Sequence, residues 1–342
     1  MRAAIMRDAK IIVDTVPEPE PQPGEVLVET LICGICGSDL HALQHGEQMV
    51  EASREAGAPT VMDLSRDVIM GHEFCAEILD YGPDTNRQYE KGTRVVHPAL
   101  LVRGAEFHGI GYSNDVPGGF AERMLLMESM LVPVPNGLPS EHAALTEPVA
   151  VGIHAVARAN VDAGDSAIVV GCGPVGLAVI AGLRLANVET IVAADFSPMR
   201  RALAERMGAH VVVDPAQNSG FDAWLGLGRL RPPAIFECVG VPGVLQDIIR
   251  EAPRQSRIVV VGVTMQADLI KPMVAIVKEL DVRFSFGYSP EEFAGTLHSL
   301  AEGKIEAEPL ITGHSGLDGV AAAFEELALP DKHAKILVEP GR

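Results

Sequence analysis

The uncharged stretch AIVVGCGPVGLAVIAGL, from Ala167 to Leu183, decides the fold of this chain. A helix that crosses a bilayer needs about 20 apolar residues, and this stretch is shorter. Gly171, Gly173, Pro174 and Gly176 interrupt its middle, where a spanning helix would be continuous. The stretch therefore predicts a buried strand, a tight turn and a helix that begins at Pro174.

The turn has the spacing G-x-G-x-x-G, with its glycines at 171, 173 and 176. The spacing alone is a weak signal, but here it follows a strand, opens a helix and precedes Asp195 at the end of the next strand. In a dinucleotide-binding unit, Gly171 permits the turn, Gly173 lets the pyrophosphate approach the backbone amides, and Gly176 lets the helix pack on the strand. A glycine-rich turn in an unrelated α/β fold is the alternative.

Asp195 indicates which dinucleotide is bound. Its carboxylate can accept hydrogen bonds from both ribose hydroxyls, and its charge repels a 2′-phosphate, so the sequence favours NAD over NADP. Arg200 and Arg201 follow a few residues later and leave some use of NADP open.

Strands and helices alternate beyond this point. SPMRRALAERMGA predicts a helix with Ser197 as N-cap, Pro198 at the first helical position and Gly208 as the stop. The runs HVVVD, AIFECVG, SRIVVVGV and DVRFSFG are strand candidates, mostly separated by helical stretches. This alternation predicts a doubly wound parallel sheet, whereas the first part of the chain is rich in β signals such as GEVLVETLICGIC. The fold class is therefore α/β with a second, β-rich domain.

The composition excludes two classes of partner. The 342 residues include 27 Lys and Arg against 46 Asp and Glu, a net charge of −19. That charge disfavours nucleic acids and anionic membranes, which basic patches bind. The five cysteines are too few for a disulfide framework, and the opening MRAAIMRDAKIIVD lacks the apolar run of a secretory signal. We therefore expect a cytoplasmic protein with no nucleic-acid or membrane partner.

A second motif lies in the β-rich part, where CGICGSDLH spans Cys33 to His41. The C-x-x-C spacing fits a redox dithiol, a structural zinc site or a chance pair in a buried strand, so its partners must be sought elsewhere. The stretch MGHEF brings His72 and Glu73, and LTEPV brings Glu147. Thiolate, imidazole and carboxylate are all zinc ligands, and a catalytic zinc uses three of them with one position open.

The order and context of these motifs resemble the zinc-dependent medium-chain alcohol and polyol dehydrogenases, a family that includes sorbitol-like enzymes. GICGSDLH and GHE are its specific motifs, and the resemblance covers nearly the whole chain, including the glycine fingerprint, ECVG and VVVGV. It implies a GroES-like β-rich catalytic domain (residues 1–146 and 288–342) and a Rossmann NAD-binding domain (residues 147–287).

The resemblance also implies a metal site. Cys36 and His72 would bind a catalytic zinc, with Glu73, Glu147 or each of them at a different stage as a further ligand; the residues alone do not rank the two carboxylates. Cys33 has no role in the family pattern and is expected in a buried strand.

Three polar residues after Cys36 acquire roles in the same way. Ser38 would bond the substrate oxygen, Asp39 would accept the far N–H of His72, and His41 would be the surface end of a proton relay through the cofactor ribose. The simpler interpretation of these three is a helix N-cap followed by ordinary polar residues.

The implied cofactor contacts lie in and beyond the fingerprint, at Gly171, Gly173, Pro174, Val175, Gly176, Asp195, Val261 and Lys335. Val175 would back one face of the nicotinamide. Lys335 would reach the pyrophosphate, with a simple surface lysine as the alternative.

The sequence departs from the family in three places, one of which is the long stretch between His45 and Gly71, expected to form a lid or pocket wall or merely surface packing. The family often has a structural zinc held by four cysteines after the Val95 strand, but HPALLVRGAEFHGIGYSNDVPGGF contains no cysteine. His97 and His108 cannot replace four thiolates, so one zinc per subunit is expected. Gly287 precedes Tyr288 where sorbitol dehydrogenases have an arginine, which weakens a polyol assignment.

The resemblance therefore implies a zinc- and NAD-dependent dehydrogenase that converts a secondary alcohol or polyol reversibly to the ketone. The alternatives are a zinc-free quinone or enone reductase of the same superfamily and a non-catalytic NAD-binding protein. Val282, Phe284 and Phe286 alternate along the last predicted strand of the parallel sheet and indicate an open apolar edge. Because the family pairs this edge across a two-fold axis, a homodimer or homotetramer is expected.

Overall fold

The computed structural model of the chain describes residues 1–135, 137–228 and 231–342. Its strands are β1 (Arg2–Arg7), β2 (Lys10–Thr15), β3 (Glu25–Gly34), β4 (Glu73–Tyr81), β5 (Arg94–Val96), β6 (Leu100–Arg103), β7 (Glu106–Gly109), β8 (Arg123–Met127), β9 (Val132–Pro133), β10 (Ser166–Val170), β11 (Thr190–Ala194), β12 (Val211–Val213), β13 (Ala234–Glu237), β14 (Arg257–Val260), β15 (Asp281–Phe284), β16 (Gly313–Gly316) and β17 (Ile336–Glu339). Its α-helices are α1 (Gly37–Glu55), α2 (Ser140–Ala144), α3 (Thr146–Ala159), α4 (Pro174–Leu185), α5 (Pro198–Arg206), α6 (Gly220–Gly226), α7 (Val244–Glu251), α8 (Pro272–Lys278), α9 (Pro290–Ala301) and α10 (Val320–Leu327).

The fingerprint region forms a parallel sheet in the order β12-β11-β10-β13-β14-β15. Numbered from β10, this is the order 3-2-1-4-5-6 of dinucleotide-binding domains. The order reverses between β10 and β13, and in sheets of this kind ligands bind beyond the carboxyl ends of the strands at that point. The predicted doubly wound sheet is confirmed.

The helix after Asp195 begins and ends as its sequence predicts. Ser197 is the N-cap of α5, and its hydroxyl accepts a hydrogen bond from the Arg200 backbone N–H at 3.2 Å. Pro198 occupies the first helical position, and Gly208 beyond the last turn has φ +103°. An N-cap hydroxyl satisfies a backbone donor that the helix cannot pair internally.

The β-rich part forms a mainly antiparallel sheet in the order β16-β17-β3-β4-β5-β9, and β8 also pairs with the first half of β3. The far end of β3, at Cys33 and Gly34, pairs with β17 from the end of the chain. The C-terminal segment therefore returns to the first part of the molecule and reaches the residues that precede Cys36. The exact domain boundaries stay a prediction.

The two sheets share one apolar core. Ile32 and Cys75 of the first sheet belong to the same buried cluster as Ala167 and Val169 of the parallel sheet, and Val149 on α3 lies in that cluster too. The first turn of α3 is therefore held next to both sheets.

None of the described helices combines the length and the apolar character that crossing a bilayer requires.

Candidate active site

Three side chains with metal-ligating atoms converge where β3 ends and β4 begins. The ligand atoms of Cys36, His72 and Glu73 lie within 4.8 Å of one another. The antiparallel register that places Gly34 opposite Glu73 brings them together, because it puts the turn after β3 beside the first residues of β4. Among the described residues, it is the one group of three or more His, Cys, Asp or Glu side chains close enough to hold a metal ion.

Cys36 lies at the N-terminus of a helix. Cys36 is the N-cap residue of α1, and its backbone N–H donates to Asp39 Oδ2 at 2.9 Å. A sulfur at the start of a helix faces unpaired backbone N–H groups and the positive end of the helix dipole, both of which stabilise negative charge. The predicted N-cap role for Ser38 is therefore wrong, since Cys36 holds that position and Ser38 lies in the first turn.

His72 lies between anionic groups. It is 7% exposed, and its Nδ1 is 3.4 Å from Oδ1 of the fully buried Asp39 but makes no oriented hydrogen bond. Burial by itself lowers the pKa of His72, but the nearby negative charges of Asp39 and Cys36 outweigh burial and hold the pKa well above its ordinary value of 6.5. The surroundings of the imidazole thus favour positive charge.

The donor set fits zinc. With metal–ligand bonds of about 2.0–2.3 Å, the ligand atoms of a tetrahedral site lie roughly 3.3–3.8 Å apart, so a cluster spread over at most 4.8 Å closes with small side-chain adjustments. A thiolate, an imidazole and a carboxylate leave one position for a further oxygen. The anionic surroundings of His72 supply the countercharge that a divalent cation needs.

Lys335 lies at this cluster and corrects the sequence prediction. It is 1% exposed, and its ammonium is 2.6 Å from each carboxylate oxygen of Glu73 and 3.0 Å from the Ile35 carbonyl oxygen. The alternative of a surface lysine is therefore wrong, and the contact with a pyrophosphate stays a prediction. A Cβ at Gly34 would lie 2.2 Å from Glu73 Oε2, so the glycine makes room for this ion pair.

Glu147 lies behind the cluster, in the first turn of α3. It is half-buried, and burial raises its pKa to about 7, with the Tyr288 hydroxyl as its hydrogen-bond partner. It does not belong to the group of mutually close ligand atoms formed by Cys36, His72 and Glu73.

Ser38 has a partner that the sequence did not reveal. The Tyr112 hydroxyl donates to Ser38 Oγ at 2.8 Å and lies 3.3 Å from Asp39 Oδ1. Tyr112 lies 74 residues from Ser38, in the segment that contains no cysteine. It belongs to no recognisable motif, so the sequence did not identify it. His41 is partly exposed one turn further along α1, and burial and the charge of the nearby His45 lower its pKa.

The fingerprint glycines leave room where a dinucleotide needs it. Gly171 has φ +92°, and a Cβ at Gly176 would lie 1.9 Å from the Gly171 carbonyl oxygen. A Cβ at Gly173 would meet a single protein atom within 4 Å, the Nη1 of Arg200 at 3.8 Å. No packing requirement therefore explains Gly173, whose open surface lies at the start of α4, where Pro174 and Val175 form the first turn.

The carboxylate of Asp195 is fixed by two backbone N–H donors, from Cys172 at 2.7 Å and Ser197 at 2.8 Å. Arg201 Nη1 donates to the Asp195 and Phe196 carbonyl oxygens, whereas the buried Nε of Arg200 has no partner. Of the two arginines that the sequence left open, Arg201 is thus committed to the protein and Arg200 extends towards Gly173. Val261 is buried after β14 and donates its N–H to the Glu237 carbonyl oxygen.

The cysteine-free segment 97–120, called the lobe below, contains two histidines, and both have partners within the protein. His97 is buried, which lowers its pKa to about 4, and its Nε2 accepts a hydrogen bond from the Met127 N–H at 3.2 Å. His108 Nδ1 lies 3.2 Å from Ser113 Oγ. Neither belongs to a group of three ligand residues within the described ranges.

Comparison with known proteins gives a consistent result. Residues 22–136 match the alcohol dehydrogenase GroES-like domain, and residues 174–302 match the zinc-binding dehydrogenase family. An (R,R)-butanediol dehydrogenase of Bacillus subtilis (strain 168) is 33% identical over 354 residues, covering 99% of this chain and 100% of that protein. A sorbitol dehydrogenase of the same organism is 29% identical over 359 residues, covering 100% and 98%.

Solved structures agree in fold over nearly the whole length. The crystal structure of 2R,3R-butanediol dehydrogenase from Bacillus subtilis is 31% identical, with a TM-score of 0.85 and coverage of 99% of both chains. A zinc-binding dehydrogenase from Sinorhizobium meliloti 1021, solved bound to NADP, is 28% identical with the same TM-score and coverage.

Proposed function

Because the chain belongs to the zinc-dependent medium-chain alcohol dehydrogenase family, we propose that it oxidises a secondary alcohol or polyol reversibly to the ketone with NAD, using one zinc per chain. The observation that carries the proposal is the convergence of Cys36, His72 and Glu73 within 4.8 Å, beside Ser38. A zinc-free quinone or enone reductase would not need this donor set, and a non-catalytic NAD-binding protein would need neither the donors nor Ser38.

We infer that Glu73 is the third ligand and that Glu147 stands behind it. Lys335 contacts both Glu73 oxygens, but each carboxylate oxygen has a second lone pair that can face a metal. When bound, zinc acts as a Lewis acid and lowers the pKa of the substrate alcohol. Cys36 and His72 would be the other two ligands, and Asp39, whose Oδ1 lies 3.4 Å from His72 Nδ1, would accept the N–H of that nitrogen once a small adjustment aligns the pair.

We further propose that Ser38 would accept the proton of the substrate alcohol when cofactor and zinc are bound, and that His41, one turn further along α1, would be the surface acceptor of that proton. Burial lowers the pKa of His41 below its ordinary value of 6.5, so the imidazole is neutral near pH 7 and can accept that proton. The nicotinamide supplies the hydride acceptor, and Val175 in the first turn of α4 backs one of its faces.

The test of the function is a panel of primary, secondary and vicinal alcohols assayed with NAD, together with metal analysis of the purified protein. We expect secondary alcohols to be oxidised and one zinc to be present per chain. Two tightly bound zinc ions would contradict the absence of a structural site in the lobe around His97 and His108. Turnover of quinones by metal-free protein would support the zinc-free alternative.

NAD is proposed as the preferred cofactor because the Asp195 carboxylate directly follows β11 and is fixed by two backbone N–H groups, one of them from Cys172 in the fingerprint turn. Asp195→Ala is expected to weaken NAD binding by about tenfold and to reduce the preference for NAD over NADP, since the ribose loses an acceptor and a 2′-phosphate loses a repelling charge. KM and kcat/KM for both cofactors measure the effect. Arg200→Ala is the matched variant, and it should weaken NADP more than NAD. A wild type that prefers NADP would contradict the assignment.

We propose a dimer or tetramer built on the edge strand β15. This strand pairs only with β14 within the described sheet, and Phe284 and Phe286 are 67% and 93% exposed. Val282 packs against the core instead, so the apolar surface consists of the two phenylalanines with Met273 and Ile276 of α8, both 67% exposed. Exposed large apolar side chains beside an open sheet edge are typical of subunit contacts.

Phe286→Glu is expected to dissociate the assembly, because burying an unpaired carboxylate in a symmetric contact costs several kcal/mol twice over. Light scattering at micromolar concentration measures the mass. Leu225→Glu is the control, since Leu225 is 60% exposed on α6, which packs near the opposite edge of the sheet. A monomeric wild type would exclude the proposed contact.

A cytoplasmic location is proposed as well. All five cysteines are free, and free thiols persist in a reducing compartment.

A further inference from the structure

We propose that Tyr112 recognises a second oxygen on the carbon next to the reacting one, so that the site prefers vicinal diols and α-hydroxy ketones. The inference rests on the proposed alcohol dehydrogenase function and names the substrate class more closely. Its basis is a pair of side-chain hydroxyls beside the metal-ligand cluster, Tyr112 Oη and Ser38 Oγ, which lie 2.8 Å apart.

Close backbone packing places Tyr112 at the cluster. Gly111 has φ +88°, and a Cβ at this position would lie 3.0 Å from the Gly71 carbonyl oxygen. The Gly119 N–H donates to that same carbonyl at 2.7 Å. The lobe therefore packs backbone against backbone on the residue that precedes His72, and Tyr112 follows the contact directly.

The aromatic ring then fixes the hydroxyl. The ring centroids of Tyr112 and His72 are 5.2 Å apart, tilted by 38°. A tyrosine hydroxyl has one proton, and Ser38 at 2.8 Å is a closer acceptor than Asp39 at 3.3 Å. While its proton is donated in the hydrogen bond to Ser38, the Tyr112 oxygen keeps lone pairs that can accept a hydrogen bond from another hydroxyl.

A vicinal diol matches this pair of groups. Oxygens on adjacent carbons lie about 3 Å apart in the gauche rotamer, which is close to the separation of the two side-chain hydroxyls. When the reacting oxygen bonds Ser38, its neighbour can bond Tyr112. A monoalcohol leaves Tyr112 paired with Ser38 and loses only this one contact, so the expected discrimination is about tenfold.

The test compares butane-2,3-diol with butan-2-ol, both with NAD, in wild type and in Tyr112→Phe, which keeps the ring on His72. We expect wild type to favour the diol in kcat/KM by about tenfold or more, and the variant to lose about tenfold for the diol and less than about threefold for butan-2-ol. Tyr89→Phe is the control. Tyr89 Oη accepts a hydrogen bond from Gln88 at the surface, 3.2 Å away. Loss of this hydroxyl should leave kcat/KM unchanged for both substrates.

Three results would overturn the proposal: no preference for the diol in wild type, no loss for the diol in Tyr112→Phe, or equal losses for both substrates, which would mean that Tyr112 acts only through Ser38. If the variant does not fold, wild type is assayed with 3-methoxybutan-2-ol, whose ether oxygen has no O–H to donate to Tyr112. This ether should be used no better than butan-2-ol, and use as good as that of the diol would refute the role. A wild type that oxidises no secondary alcohol contradicts the proposed function instead.

Discussion

Cys36→Ala is expected to lower kcat/KM for the alcohol by about 10³-fold or more, because Lewis-acid stabilisation is worth several kcal/mol and each 1.36 kcal/mol is tenfold in rate. Bound zinc should fall well below one per chain. The affinity for NAD, measured by fluorescence or calorimetry, should stay near that of wild type, since Cys36 precedes α1 and the fingerprint lies in the parallel sheet.

The matched control is Cys33→Ala in the same C-x-x-C pair. Cys33 is fully buried, and its sulfur would lie 2.5 Å from a Cβ at Gly119, so it fills space beside that glycine. Its truncation should cost roughly 1–2 kcal/mol of stability through a small cavity and leave zinc and activity in place. Equal loss of zinc from both variants would mean that the two cysteines act together, and full activity of Cys36→Ala would remove it from the site.

Lys335→Met is expected to destabilise the metal-free protein by about 3–5 kcal/mol, because it leaves the Glu73 carboxylate buried without a counter-charge. Urea unfolding after chelation measures this loss. Adding Glu73→Gln should recover much of it, since no buried charge then remains. Zinc should reduce the difference in unfolding free energy between wild type and Lys335→Met, because a cation at the cluster also neutralises Glu73.

Lys332→Met on the same segment is the control for this effect. Lys332 pairs with Glu326 at 2.5 Å, but its side chain is 49% exposed, and such surface pairs contribute about 0–1 kcal/mol. A loss for Lys335→Met as small as that of the control would show that the ion pair does not support the fold.

The local sequence pattern predicted the strand–turn–helix unit of the glycine fingerprint, which depends on backbone conformation. The glycine spacing, the strand before it and Asp195 after it describe a strand–turn–helix unit that is complete within about thirty residues. The capping of α5 by Ser197 is local in the same way. These features need no knowledge of the remaining chain, and the structure places them as expected.

Contacts between distant segments were not predictable in this way. Lys335 precedes an apolar strand in HAKILV, and its flanking residues Ala334 and Ile336 are buried, which hints at burial but names no partner. Tyr112 meets Ser38 only because Gly111 lets one loop approach another. A sequence shows that such residues can form an ion pair or a hydrogen bond, but the pairing itself is a property of strand register and loop packing.

Because the last strand pairs with β3, the contacts of β3 and of Glu73 with the C-terminal segment can form only late in synthesis. Glu73 and Lys335 are 262 residues apart, and ribosomes add about 5–20 residues per second, so the carboxylate waits roughly 13–50 s for its counter-ion. Throughout that interval, the far end of β3 also lacks its β17 neighbour. Until translation nears its end, the growing polypeptide therefore exposes an unpaired strand edge next to Glu73. Such an open edge is a site for unwanted pairing with other chains.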